Sequence, residues 1–248
     1  MRTLAFISLL IMSSFTFGEN LEDIRWISEQ YPPYNYVDPD DGKPKGVTFD
    51  ILMVMFDRLS VDVAPEDIEF LPWARSYRDL QNEPQTALFS MTYTPEREKL
   101  FEFVGPIIPS KITLMAPKSA GVSVDSVEEM NQLQIGAIRD DIGEQLLLSK
   151  GVDPGQIQLS SKTDALIRKL QAGRIDAIAY GQDIALWTMK SMGMNPNEYE
   201  SVFTLADGQM GYAFHKDTDP ALLSKLQKTL DELIADGTVQ SISDEYLK

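Results

Sequence analysis

The chain of 248 residues contains no cysteine and a single histidine. Without cysteine there is no disulfide, no thiolate nucleophile and no thiol to carry a lipid behind a leader segment. His215, alone in a short apolar run, reads as structural, and no set of metal ligands at the required spacing accompanies it. No Gly-x-Ser-x-Gly elbow and no phosphate-cradling Gly-Lys-Ser loop occurs. No cofactor is therefore expected. The acidic runs Asp38–Asp41 and Asp140–Asp141 lack the alternating oxygen ligands and following glutamate that calcium needs, and read as solvated loops. Basic residues are scarce, 22 against 38 acidic ones, for a net charge of −16. A surface of that sign repels phosphate backbones and anionic lipid heads, which argues against nucleic acid as a partner. No apolar run reaches the roughly 18 residues that a membrane-spanning helix needs.

What is present begins with a targeting pattern. Arg2 supplies a positive start, Leu4 to Met12 an apolar run, and Ser13 to Gly18 a small, weakly polar stretch with Thr16 and Gly18 before the cut. That order is the layout of a secretory signal peptide, so residues 1–18 are set apart from the fold. Removing them leaves 21 basic and 38 acidic residues, a charge of −17. An export signal with neither anchor nor disulfides fits a protein free in a bacterial periplasm.

Strand-like and helix-like patterns then alternate. Arg25 to Ser28 reads as a strand stopped by Tyr31-Pro-Pro-Tyr34, and Asp38 to Gly42 as a turn. Apolar residues from Val47 to Leu59 recur at helical spacing. Short strands follow at Ile68–Leu71 and Thr86–Met91, with a helix over Ala74–Gln81 between them. A second series alternates strands at Ile112–Ala116, Gln134–Ile138, Gln156–Leu159 and Ile175–Tyr180 with helices at Ser126–Met130, Gly143–Lys150, Lys162–Ala172 and Asp183–Met192. The tail returns as a strand over Gly211–His215 and one amphipathic helix ending at Gly237. Such alternation predicts an α/β fold with mostly parallel sheets, and two series with a returning tail predict two lobes.

Several motifs, in order along nearly all of the mature chain, carry a resemblance. Tyr31-Pro-Pro-Tyr34, Asp41-Gly42 and Gly46-Val-Thr-Phe-Asp50 open the series. Ser90-Met-Thr-Tyr-Thr-Pro-Glu-Arg97, Phe103-Val-Gly-Pro106, Gly136–Leu147, Gly173-Arg-Ile-Asp-Ala177 and Asp236-Gly-Thr238 continue it. Their ordered set resembles the periplasmic solute-binding proteins of polar amino acid ABC transporters. The resemblance implies the type II periplasmic binding protein fold: two α/β lobes, two hinge crossings and a ligand cleft between. Lobe one would be residues 19–109 plus 208–248 and lobe two residues 110–207, with crossings near Ile108–Lys111 and Ala206–Gly208. It also implies a small carboxylate ligand, an ABC permease that reads the closed form, and a monomer.

Each matching position has its own physical reading. Arg97 matches the arginine that grips a ligand carboxylate, since a guanidinium offers a planar fork of donors; the alternative is an exposed arginine on a helix flank. Ser90 and Thr92 match neighbouring donors, or else cap a turn. Tyr34, Trp73 and Tyr31 match aromatic cleft walls, or else ordinary core. Asp141 stands at a helix N-terminus, three residues before Glu144, where it either faces the ligand or caps the helix. One departure stands out: the family's aspartate that accepts from a ligand amino group falls at Gly181, with Gln182 and Asp183 next.

The resemblance implies a binder rather than an enzyme. Two other readings compete: a ligand-reporting partner of a membrane sensor, and a lyase- or dehydratase-like enzyme on the same fold. The enzyme would need a general acid or base from the loop carboxylates Glu96, Asp141 and Asp183.

Overall fold

A computed structural model describes residues 20–247; the expected signal peptide, residues 1–18, lies outside them. The chain opens with β1 (Arg25–Ser28), a small hairpin of β2 (Tyr36–Val37) and β3 (Pro44–Lys45), then α1 (Val47–Leu59). Next come β4 (Glu69–Phe70), α2 (Trp73–Asn82), β5 (Thr86–Thr92) and the long β6 (Phe101–Pro117). After α3 (Val127–Met130) follow β7 (Ile135–Ile138), α4 (Ile142–Lys150), β8 (Ile157–Ser160), α5 (Thr163–Gln171), β9 (Ala177–Gly181) and α6 (Gln182–Ser191). The long β10 (Tyr199–His215), α7 (Pro220–Ala235) and α8 (Thr238–Leu247) complete the chain.

Eight strands hydrogen-bond in the order β4-β1-β5-β10-β6-β9-β7-β8. Each end is parallel, and the middle, where β10 pairs with β5 and β6 and where β6 pairs with β9, is antiparallel. The fold is the two-lobed α/β architecture expected: one end carries β4-β1-β5, the other β9-β7-β8, and β6 and β10 run between them. Strands β5, β7 and β9 are buried along their whole length, as parallel strands covered by helices on both faces are.

Two expected strands prove to be ends of longer ones. Ile112–Ala116 belongs to β6 and Gly211–His215 to β10, each 17 residues long. Prolines read as breaks in β6, yet β9 covers only Ile112–Met115 on that edge. Pro106 and Pro109 therefore lie where β6 has no partner on its second side, and a strand edge tolerates proline. The Tyr199–Thr204 part of β10 is largely exposed, so it lacks the apolar run that marks a buried strand. Residues Ala206, Asp207 and Gly208 of β10 pair with Ile112, Lys111 and Ser110 of β6.

Local chemistry explains the ends. Helix α4 starts where Asp141 accepts a 2.6 Å hydrogen bond from the Ile142 amide, and α7 where Asp219 accepts from Ala221 with Pro220 in the first turn. Gly143 lets α4 lie on β9: a Cβ there would stand 2.1 Å from the Ala179 carbonyl oxygen. Gly173, with φ 63°, ends α5 as expected. Helix α8 was not among the expected elements. Asp236 caps it by accepting from the Thr238 amide at 3.0 Å, and Tyr246 near its end ties back to Asp50 and the Gly46 amide. In the core, Trp26 packs edge-on against Phe56 and Phe214, with centroids 5.0 and 5.6 Å away. No helix among the described residues is long and apolar enough to cross a membrane.

Candidate functional site

Arg97 sits one short loop past the end of β5. The Thr94 hydroxyl accepts from the Arg97 amide at 3.1 Å and opens a single 3-10 turn, Arg97–Lys99. The side chain is 1% exposed, not a flank arginine in solvent. Its Nε donates to Gln145 Oε1 at 3.1 Å and its Nη1 to the Thr92 carbonyl at 3.2 Å. The guanidinium lies against the rings of Trp73 and Tyr77, 5.3 and 5.6 Å from their centroids. Nη2 is buried without a hydrogen-bond partner, 3.8 Å from Asp141 Oδ1. A buried donor left unpaired costs roughly 1–3 kcal/mol, so one arm of the fork is held ready for an acceptor.

Two carboxyls share this charge. Asp141 is buried, contrary to the solvated loop expected of it; its neighbour Asp140 does face solvent. Desolvation raises the Asp141 pKa, while Arg97 and the Ile142 amide pull it back. Asp38 of the other acidic run is also buried, paired with Lys45. Glu29, the residue after β1, is half-buried, and its carboxyl feels both neighbours. Burial pushes its pKa well above the usual carboxylate range, Asp141 pushes it further, and Arg97 opposes both. Burial lowers the Arg97 pKa and Asp141 counters it, but a guanidinium stays protonated. The site thus holds two acids and one base, with the acids pressed toward neutrality.

Aromatic residues from both ends of the sheet meet around this cluster. Trp73 Nε1 donates to the Asp140 carbonyl at 2.9 Å. The Tyr34 hydroxyl donates to Asp183 Oδ2 at 3.2 Å. Tyr31 packs edge-on to Tyr180, centroids 6.0 Å apart, and lies 5.9 Å from Tyr34. Gly181 closes β9 beside them; a Cβ there would meet the Tyr31 hydroxyl at 3.0 Å and Ile184 at 2.5 Å. Beside the cluster opens a cavity of about 770 Å³, lined by Glu29 and, of the expected site residues, by Trp73 alone.

Ser90 and Thr92 lie near Arg97 but turn to other partners. Ser90, at φ 52°, bonds Asn35 Oδ1 at 2.5 Å and Thr48 Oγ1 at 2.8 Å. Asn35 in turn donates to Ser28 Oγ at 3.0 Å, which makes a buried polar network behind the site. The Thr92 hydroxyl bonds Ser110 at 3.1 Å, and its carbonyl is what Arg97 uses.

Sequence reading did not single out Glu29, Tyr77, Gln145 or Tyr180. Two of these had a signal. Tyr77 stands four residues after Trp73 and Gln145 four after Asp141, a spacing that puts each pair on one helix face. Glu29 and Tyr180 carry none, since a strand-end residue gains its role from what faces it across the cleft. Among the described residues, no group of three or more histidine, aspartate or glutamate side chains is placed to hold a metal.

Comparison with known proteins places this geometry. The family model of bacterial extracellular solute-binding proteins, family 3, matches residues 24–248. The ABC transporter arginine-binding protein 1 of Escherichia coli is 24% identical over 243 residues, covering 95% of this chain and 96% of that protein. A substrate-binding protein of an ABC uptake transporter from Streptococcus pneumoniae, solved with bound histidine, superposes with a TM-score of 0.78 at 18% identity, covering 91% of this chain and 92% of that one. A histidine kinase sensor domain with similarity to periplasmic binding proteins superposes with a TM-score of 0.79 at 18% identity, over 90% of this chain and 96% of that one.

Proposed function

The chain belongs to the bacterial extracellular solute-binding proteins, family 3, a family of binders and not of enzymes, and we propose that it captures an amino acid by its carboxylate and ammonium groups for an ABC permease. Its lobes in this reading are residues 19–109 plus 208–248 and residues 110–207, and the permease reads the closed form. The chain works as an exported monomer in the periplasm, its signal peptide cut near Gly18. The observation that carries the reading is the buried Nη2 of Arg97, which has no hydrogen-bond partner and only the 3.8 Å ion pair with Asp141. An amino acid carboxylate supplies the acceptor it lacks, in the charge-assisted geometry a guanidinium favours.

The electrostatics support the ammonium half. Glu29 and Asp141 press against each other around one cation, and both have raised pKa values. An incoming ammonium removes that frustration and lets Glu29 ionise. Glu29 then does what the family aspartate does, although the matching position here is Gly181. A zwitterion adds one charge of each sign, so the balance of the site improves without a net cost. Binding across the two lobes favours closure, because a ligand shifts such an equilibrium only by binding the closed state better.

The test is thermal melting of the refolded, ligand-stripped mature chain with single amino acids and their des-amino analogues. At about 100 times its dissociation constant a ligand adds roughly 2.7 kcal/mol, or about 5–11 °C for a chain of this size. Arg97→Ala is expected to abolish the shift for every amino acid. Glu29→Gln is expected to weaken amino acids by about tenfold or more while sparing the des-amino acids. Shifts that survive Arg97→Ala would refute the reading.

A further inference from the structure

We propose that the ligand carries a bulky aromatic or apolar side chain, housed in the 770 Å³ cavity beside Arg97. The inference rests on the amino acid reading and adds the class of side chain. Glu29 and Trp73 belong to both places: each touches or faces Arg97, and each lines the cavity. An amino acid with its charged end at Arg97 and Glu29 therefore points its side chain into this space.

The cavity's walls select what fits. Phe70, Pro72 and Trp73 come from one lobe with Tyr36, while Ile138 and Trp187 face them from the other. Tyr36 and Trp187 meet across the opening, ring centroids 5.5 Å apart. A volume of this size is on the scale of pockets for drug-sized ligands, roughly 300–1,000 Å³. A compact polar amino acid would leave these apolar walls in contact with water or void, and the largest favourable term in such a site is apolar area removed from water.

Charge argues against a cationic side chain. With Glu29 committed to the ammonium, the other ionisable acidic or basic lining groups are Lys162 and Asp164, which cancel. Two of the four aromatic rings in the lining already hold a cation: Arg97 over Trp73 at 5.3 Å and Lys45 over Tyr36 at 5.9 Å. A neutral ring gains the walls without opposing Lys162. An acidic side chain gains nothing from the walls and adds to a surface already at −16.

Isothermal titration of the mature chain with alanine, phenylalanine, tryptophan, arginine and glutamate tests this. Phenylalanine or tryptophan is expected to bind at least about tenfold tighter than the other three. Trp187→Ala is expected to weaken phenylalanine and tryptophan at least about tenfold more than alanine, erasing that preference. Ser191→Trp, an exposed position on the cavity lining, narrows the space without touching the core, and is expected to weaken the aromatic ligands selectively. Arginine or glutamate binding as tightly as phenylalanine, or a Ser191→Trp chain that keeps full aromatic affinity, would overturn the inference while the amino acid reading stands. If none of the five binds, both fall together.

Discussion

Removing Arg97 from the ligand-free protein separates its electrostatic work from its packing, because the two respond differently to pH. In the wild type the guanidinium opposes the rise in pKa of both Glu29 and Asp141. In Arg97→Ala that opposition is gone, only the Ile142 amide still holds Asp141 back, and both acids are driven toward the neutral form. A carboxyl whose folded pKa exceeds its unfolded one stabilises most below the unfolded value, about 4. That contribution is lost as pH rises toward the folded pKa. The added penalty is therefore absent at pH 4 and grows toward pH 7. Protonation caps it: keeping one glutamate neutral at pH 7 costs at most about 3.7 kcal/mol, from 1.36 kcal/mol per pH unit above 4.3. The contacts with Trp73 and Tyr77, about 0.5–1 kcal/mol each, and the hydrogen bonds to Gln145 and the Thr92 carbonyl, roughly 1–3 kcal/mol for each partner left unpaired, are lost at every pH. The variant should thus melt below wild type at pH 4 and further below it at pH 7, by at most about 7–15 °C for that acid, since the wild type already bears part of the cost. Scanning calorimetry of both chains at the two pH values reads this directly. An equal deficit at pH 4 and pH 7 would show that the two acids are not electrostatically bound to Arg97, and would remove the basis for an ammonium site at Glu29.

Three further outcomes follow from the geometry. Ser90→Ala strips a shared partner from Asn35 and Thr48 in a buried network, so stability should fall by about 1–3 kcal/mol; an unchanged denaturant midpoint would mean water fills the gap. Gly143→Ala drives a methyl group into the Ala179 carbonyl and should cost about 1–3 kcal/mol as α4 lifts off β9; a melting temperature equal to wild type would contradict that contact. Tyr34→Phe removes the hydroxyl that reaches Asp183 from the other end of the sheet, so small-angle scattering of the ligand-free chain should show a larger radius of gyration, and an identical profile would mean this bond does not hold the two ends together.

Fold and function were legible to different depths. The α/β alternation could be read because buried parallel strands such as Ile135–Ile138 are continuously apolar and their helices carry one apolar stripe. The long strands could not, because the first part of β10 is half-buried or exposed and lacks an apolar run, and the prolines of β6 sit on an edge that only the fold reveals. At the site, Arg97, Trp73 and Asp141 stood out through the resemblance and through their places beside a strand end or a helix start. Their neighbours did not, since proximity across the cleft leaves no trace in spacing. Gln145 lies 48 positions from Arg97, and Asp183 lies 149 from Tyr34.

Glu29 shows most clearly why the missing part matters. In the sequence it is an ordinary glutamate after a short strand, with every reason to face solvent. What changes it is burial first and then the approach of Asp141 from the far end of the sheet, beside an arginine whose Nη2 has no hydrogen-bond partner. The absence of an aspartate at Gly181 looks, from sequence, like lost amino-group recognition. Charge balance in the folded cluster points the other way. Two acids share one cation, and a ligand ammonium gives Glu29 a cation of its own while the ligand carboxylate is met by the open arm of Arg97, so neither new charge is buried without a partner. The acidic partner has not been lost from the site in this reading; it has moved from one lobe to the other. A wild type that prefers amino acids to their des-amino analogues, and a Glu29→Gln chain that no longer does, would be the direct signature of that exchange.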